Sequence, residues 1–493
     1  MYERCSFIRT VCAFQESLAY PVCLALLCAI SGLFGKQVYV PLISVMSVLV
    51  IFSALFAKDL KVLFAPFFMA FYSLGSDNTE DSGALRDELI EVFDTSALVT
   101  VCLLGVLMFA VICVRLAKEG IFSDIATHRG PFLYSILALN AALLLNGLFC
   151  PKWRPMDMVF GLLFALGLTV CYYIFGALLR RSDASASYVS FCMVCTACVV
   201  LLQTLVLVWR LYEADELFLN LKNTLIPQLR RENIQLAWGY ATNISGVIIL
   251  GIPAAFYLAR SHRFSLVYYI LALLFIGGAL MTGTRSTSFI GSAVFVICAL
   301  LCCFSGKNKN RMRLYIAATL LLFAALLLCV HRFVLPLSDD LLSEFLAFFR
   351  IRQEDLVNDS RLALWKNGLE DFVSSPIFGT GFGDGGYLEK GQYSNVFNDM
   401  YHNIFIQFVG AMGIVGIIAL LWHMKDLCQI LFRQWSVKKA LVLVLPITLL
   451  LTSLLDNFFF YFNFQIFYAA YLALIEQSFT QPIPVAAKKQ KNV

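Results

Sequence analysis

The residues of this chain best suited to group transfer are His402 and a set of arginines, Arg285, Arg361 and the adjacent pair Arg230 and Arg231. A guanidinium binds phosphate oxygens through paired, planar hydrogen bonds, so several together can neutralise a diphosphate without a metal ion. A neutral imidazole can accept the proton of an attacking hydroxyl. Displacement of a diphosphate needs both: charge stabilised on the leaving group and a base or positioner at the nucleophile. Trp365 stands four residues after Arg361, which puts the two on one helix face. That pair reads either as an interfacial anchor or as a phosphate-contacting arginine beside an indole. His402 is followed by Asn403 and opens a long apolar run. With Asn398 or Asp399 as cap, His402 would fall in the first helical turn, where the helix dipole disfavours the imidazolium. Gly410, Gly413 and Gly416 give that helix a small-residue stripe for close packing. Arg285, in Thr282-Gly-Thr-Arg-Ser-Thr287, lies between two apolar runs, where a charge is costly unless functional or paired.

Such residues need a scaffold, and composition says which kind. Hydrophobic residues make up 60% of the 493 and charged ones only 14%, with 44 Phe and a mean hydropathy of +0.79. That leaves too little polar surface to coat a soluble globule and implies an all-α polytopic membrane protein. Apolar runs near the roughly 20 residues that cross a bilayer lie at 17–34, 38–57, 60–75, 95–115, 132–150, 157–179, 186–209, 241–259, 264–281, 286–304, 312–330, 402–423, 440–456 and 458–477. These predict about 12–14 membrane helices. With the N-terminus inside, 22 of the 37 basic residues fall on inner connections against 8 of the 32 acidic ones; the inner side then carries +14 and the outer −9, together the chain's +5. Both termini are therefore expected in the cytoplasm. The first run, preceded by Arg4 and Arg9 and followed by no small-residue cleavage site, reads as a retained signal anchor.

Most connections are short, but 76–94, 210–240 and 331–401 are long and fall outside. The first is acidic and reads as a solvated surface. The third, about seventy residues, is of a length that usually serves a function. Within it Leu341 to Phe349 reads as an interfacial helix, and Ser360 to Val373 as a second helix capped by Asp359 or Ser360 and stopped at Ser375-Pro376. The turn from Gly379 to Gly386 lacks the βαβ context of a dinucleotide fingerprint. Its glycines instead permit positive φ and close backbone approach to a ligand or to the membrane helices, or form a plain flexible turn. Glu354, Asp355, Asp359, Glu370 and Asp371 read as caps and surface charges. Cys192-x-x-Cys195-x-x-Cys198 sits in an apolar span without a fourth ligand, so it reads as helix packing; no metal site and no structural disulfides are expected. The organisation expected is 1–209 as N-terminal membrane helices, 210–330 as core helices with Arg230, Arg231 and Arg285, 331–401 as an extracytoplasmic helical loop domain, and 402–493 as C-terminal helices with a basic tail.

The order of these elements resembles the O-antigen ligase and polymerase superfamily, the bacterial Wzy/WaaL-like glycosyltransferases. The resemblance rests on Thr282-Gly-Thr-Arg-Ser286, on Arg361-x-x-x-Trp365 with Pro376-x-x-Gly379-x-Gly381, and on His402-Asn403 through Gly413-x-x-Gly416. Gly239 to Ala259, with Asn243 and Pro253, is similar to the family's entry into its core. The similar part spans roughly 230–425, and Ser286-Thr287 departs from the glycine that often follows the arginine. The resemblance implies a GT-C-like, metal-independent transferase without cofactors, acting on an undecaprenyl-diphosphate-linked glycan donor at the outer face of the cytoplasmic membrane. Its acceptor would be a glycan or lipid-linked glycan, the work most broadly that of a repeat-unit polymerase for surface polysaccharide such as O-antigen or capsule, and alternatively that of a ligase. A flippase is the reading from another class, and the long outer segment counts against it. In the transferase, His402 would activate the acceptor, Arg285 and Arg361 would hold the diphosphate with Arg230 or Arg231 assisting, and Trp365, Asn403 and Asn243 would contact substrate. The implied partners are the lipid bilayer and a chain-length regulator; nucleic acid is not expected.

Overall fold

The computed structural model describes residues 6–34, 39–73, 95–120, 130–329 (except 152, 154, 181, 183, 184, 220–227 and 237), 360–382 and 400–479 (except 434). Among them are sixteen α-helices. They are α1 (Ser6–Gln15), α2 (Ala19–Phe34), α3 (Tyr39–Phe56), α4 (Phe64–Met69), α5 (Thr95–Lys118), α6 (Leu133–Leu145), α7 (Pro155–Arg180) and α8 (Ala186–Glu213), then α9 (Ala241–Ala259), α10 (Ser265–Met281), α11 (Arg285–Phe304), α12 (Lys309–Cys329), α13 (Ser360–Ser374), α14 (Ile404–Phe432), α15 (Val437–Thr452) and α16 (Phe462–Phe479). Two antiparallel pairs of two-residue strands, β1 (Phe218–Leu219) with β2 (Gln228–Leu229) and β3 (Gln235–Leu236) with β4 (Gly239–Tyr240), lie before α9.

Among the described residues each of the fourteen apolar runs contains helix, because in hydrocarbon the backbone must satisfy its own polar groups. The 60–75 run is broken: Asp59 caps a 3-10 turn at Leu60–Leu63, α4 follows with Pro66 inside it, and a second 3-10 turn covers Ala70–Ser73. Among the described residues five helices are long and apolar enough to cross a membrane, and α1 with α2 forms a sixth candidate bent by 81°. Apolar rows such as Leu103, Val106 and Phe109 on α5 and Leu320 to Phe323 on α12 are exposed, as suits a surface that faces lipid. The polytopic all-α class is thus established. The helix expected at Leu341–Phe349 and the acidic 76–94 segment lie outside the described residues.

The centre of the bundle is α9, every residue of which is buried, packed among α8, α10, α11 and α15. α16 runs beside α7, and α14 beside α6 and α13. α14 is not one continuous helix: at Gly413 (φ 62, ψ −151) it breaks, a conformation open essentially to glycine alone. The segment after α13 fills the break. Thr380 and Gly381 donate their N–H groups to the carbonyls of Gly410 and Ala411 (2.9 and 3.0 Å), while Ile414 and Val415 donate to Pro376 and Ile377 (2.8 and 3.2 Å). A Cβ on Gly379 (φ +68) would lie 2.2 Å from the Ala411 carbonyl carbon. Gly379 and Gly381, the described start of the glycine turn, therefore make a close backbone approach to the membrane helices, one of the alternatives the sequence leaves open. Phe382, next along, is buried between Phe164 and Phe460. α13 and its turn are thereby fixed against the bundle beside the start of α14.

Candidate active site

α14 begins at Ile404, capped by Asn403, whose extended backbone lets Oδ1 accept from the N–H groups of Phe405 and Ile406 (2.9 and 3.2 Å). His402 consequently lies outside the helix, and its φ of +51 places a residue with a Cβ in the left-handed region, at roughly 1–2 kcal/mol. This corrects the expectation that His402 sits in the first turn behind a cap at 398 or 399, positions outside the described residues. Asparagine is among the best capping residues, and Asn403 takes the role itself. Its side-chain oxygen is committed to α14, which bears on the substrate contact expected of it.

His402 Nδ1 lies 3.2 Å from Asp456 Oδ1. Asp456 sits in the turn after α15, its side chain 9% exposed against 33% for His402, so the acid is interior and the ring reaches the surface. Burial would raise the Asp456 pKa, but the hydrogen bond and charge of His402, the Asn457 N–H (2.7 Å) and the charge of Arg361 outweigh it and hold the carboxyl below its ordinary value. An ionised carboxylate only accepts, so Nδ1 is the donor. In the neutral ring Nε2 is then the nitrogen with a free lone pair, which is how a carboxylate orients a histidine base.

Arg361 is the second residue of α13 and half-buried, and its charge acts on the same Asp456. Trp365 is half-buried one turn on; its Nε1 has no hydrogen-bond partner among the described residues. Arg285 is the first residue of α11 and exposed. The preceding Gly283 (φ +66) backs onto Leu229 and Arg231, whose Cβ would lie 3.8 Å from a Cβ placed there. Arg231 thus flanks the turn that carries Arg285, while Arg230 donates its backbone N–H to Leu217 (2.9 Å).

These positions share one end of the bundle. Thr287 and Ser245 hydroxyls meet at 2.6 Å, joining the first turns of α11 and α9. Gly246 abuts Phe458, and Ser453 accepts from the Ile404 N–H at 2.7 Å, joining the end of α15 to the start of α14. Burial first, then the nearby Asp456 and Tyr240, push the Tyr461 phenol up, so the residue before α9 and the acid lie within electrostatic reach of one tyrosine. The structure therefore brings His402 to Asp456, with the charge of Arg361 acting on the same acid, and sets Arg285 at the start of α11 with Arg231 beside its turn. Asn243, in the first turn of α9, is 8% exposed and accepts from the Thr242 hydroxyl at 3.3 Å.

Asp456 escaped the sequence reading, although a lone acid closing the apolar run 440–456 was a signal of the right kind. Asp371, read there as a cap or surface charge, accepts a 2.6 Å hydrogen bond from the Tyr401 hydroxyl.

No curated protein matches this chain. Residues 270–421 match a family model described as O-antigen ligase. That stretch runs from within α10 into α14 and contains Arg285, Arg361, Trp365, His402 and Asn403, whereas Arg230, Arg231, Asn243 and Asp456 lie beyond it. The match over this segment supports the O-antigen ligase and polymerase superfamily and, in general terms, glycosyl transfer of that type.

Proposed function

We propose that this protein moves an oligosaccharide from undecaprenyl diphosphate to a hydroxyl acceptor at the extracytoplasmic face of the cytoplasmic membrane, the acceptor being the next lipid-linked repeat unit of a surface polysaccharide. The observation that carries the reading is the His402–Asp456 contact with the Arg361 charge on the same carboxylate. His402 Nε2 takes the acceptor hydroxyl proton as its oxygen attacks the anomeric carbon. The bond from that carbon to the diphosphate oxygen breaks and its electron pair leaves with the diphosphate. Arg361 and Arg285, with Arg231 beside the latter, oppose the charge that develops there. Sidedness is supported by the basic connection Lys307–Arg313, which lies at the opposite end of α11 from Arg285.

A ligase would use the same donor chemistry with another acceptor, and the description of the matched family favours keeping that reading in the test. The full chain in lipid nanodiscs is supplied with a lipid-diphosphate-linked repeat unit. Elongation from the donor alone marks a polymerase; transfer only after adding a lipid A core, a protein or a wall glycan marks a ligase. His402→Ala should reach normal abundance yet lose transfer by on the order of 100-fold or more. Near-normal transfer by that variant removes histidine catalysis from the mechanism.

A further inference from the structure

Tyr401 directly precedes His402 in the chain. Tyr401 is fully buried and held at three points. Its backbone N–H donates to Gln407 Oε1 in the first turns of α14 (3.0 Å). Its ring lies between α13 and α14 where two glycines make room: a Cβ on Gly368 would come within 3.1 Å of the ring, and one on Gly410 within 2.8 Å. Its hydroxyl donates to Asp371 Oδ2 at 2.6 Å. Asp371 stands on α13, the helix that also carries Arg361.

The next residue, His402, is the one with the positive φ, with the Asn403 cap immediately behind it. A side chain in that backbone state keeps its aim only if the flanking residues are fixed. Asn403 fixes one flank through α14. We propose that Tyr401 fixes the other, as the positioning residue of His402: its hydrogen bond to Asp371 ties the base to the helix bearing Arg361, so that base and leaving-group arginine are held as one unit. Tyr401 touches neither substrate nor the reacting atoms. It sets the distance between two groups that do, and misplacement by about an ångström can cost 10²-fold in rate.

This inference rests on His402 being the base of the proposed transfer. The test uses the full chain in nanodiscs with a lipid-diphosphate-linked glycan, measuring kcat and donor KM alongside the folded fraction and thermal midpoint. Tyr401→Phe keeps the ring and its packing and removes only the hydroxyl. It should lower kcat about 10-fold with donor KM and folded fraction unchanged. Asp371→Ala should reproduce that loss, Asp371→Asn should recover most of it because an amide oxygen still accepts, and Tyr401→Phe/Asp371→Ala should be no slower than either single variant. Wild-type kcat in Tyr401→Phe, a loss matched by a fall in folded fraction, or additive losses in the double variant would each overturn it. His402→Ala is run beside these variants. If His402→Ala is inactive while Tyr401→Phe is normal, this inference alone fails; if His402→Ala is active, both it and the base reading fail.

Discussion

The Ile404 N–H donates to the Ser453 carbonyl at 2.7 Å, so the first residue of α14 is tied to the residue after α15. His402 precedes one of these positions by two residues and Asp456 follows the other by three. The same serine accepts from the Phe459 N–H through its hydroxyl (3.0 Å), closing the turn that holds Asp456. The ring and its carboxylate are therefore delivered by one backbone knot and need no contact of their own to meet. A substitution at either side chain should leave the knot in place, which makes this pair suitable for separating chemistry from folding.

Asp456→Asn is the sharpest such change. The amide keeps the shape but can donate as well as accept, so it no longer fixes Nδ1 as the donor of the ring. Transfer should fall by roughly 10- to 1,000-fold with near-normal abundance and with donor KM little altered, read in the nanodisc assay. Equal rates for Asp456→Asn and wild type would mean that the carboxylate does not orient the base.

The same acid predicts a pH dependence of stability. Its pKa is lower in the folded protein than in an unfolded chain. A group shifted that way stabilises the fold fully above the ordinary carboxylate range and loses the contribution as pH falls through the shifted value. Thermal midpoints of wild type and Asp456→Asn, measured from pH 7 to pH 3, should differ most near neutrality, with the gap beginning to close only below about pH 4. A gap that widens on acidification would contradict the sign.

The parts of this architecture legible in sequence are those set by local composition. Apolar runs mark the helices because the bilayer leaves no other solution, and His402, Arg285 and Arg361 stand out because charge is rare in this chain. What the sequence leaves hidden is pairing at long range. Asp456 reads as the end of a span until α15 and α14 are joined, and the cap of α14 falls on Asn403 instead of the earlier Asn398 or Asp399. Gly413, read as one of three packing glycines, is where α14 opens to receive the turn after α13. Periodicity cannot show this, since the partners that satisfy the broken backbone come from another segment.

That break gives a prediction about folding. Gly413→Ala would place a Cβ 2.6 Å from the carbonyl oxygens of Pro376 and Ile377, and Gly379→Ala one 2.2 Å from backbone at Ala411, both at positive φ. Neither neighbour is a side chain that can rotate away. Each variant should lose at least ~3 kcal/mol and appear as a collapse of the monodisperse fraction in fluorescence-detected size exclusion. Gly277→Ala in α10 faces open space and should be neutral or stabilising by up to about 1 kcal/mol. Equal yields for all three would place the break elsewhere.

The arginines should separate by their place around the site. Arg361 acts on Asp456, and Arg285 heads α11 with Arg231 at its flank, while Arg230 is placed by its backbone bond to Leu217. A charge-assisted hydrogen bond is worth about 1.5–3 kcal/mol, which is roughly 10- to 100-fold in rate. Arg285→Lys and Arg361→Lys should each lose that much in kcat/KM for the lipid-diphosphate donor, since lysine keeps the charge and loses the planar fork. Arg231→Ala should fall toward the lower end of that range, and Arg230→Ala should stay within about threefold of wild type, because its loss leaves less than ~1 kcal/mol unmet. Competition with inorganic pyrophosphate supplies the second readout: its inhibition should weaken in Arg285→Lys and Arg361→Lys and persist in Arg230→Ala. A reversed order, with Arg230 essential and Arg231 dispensable, would move the diphosphate away from the turn at 282–285 and toward the strand pair before α9.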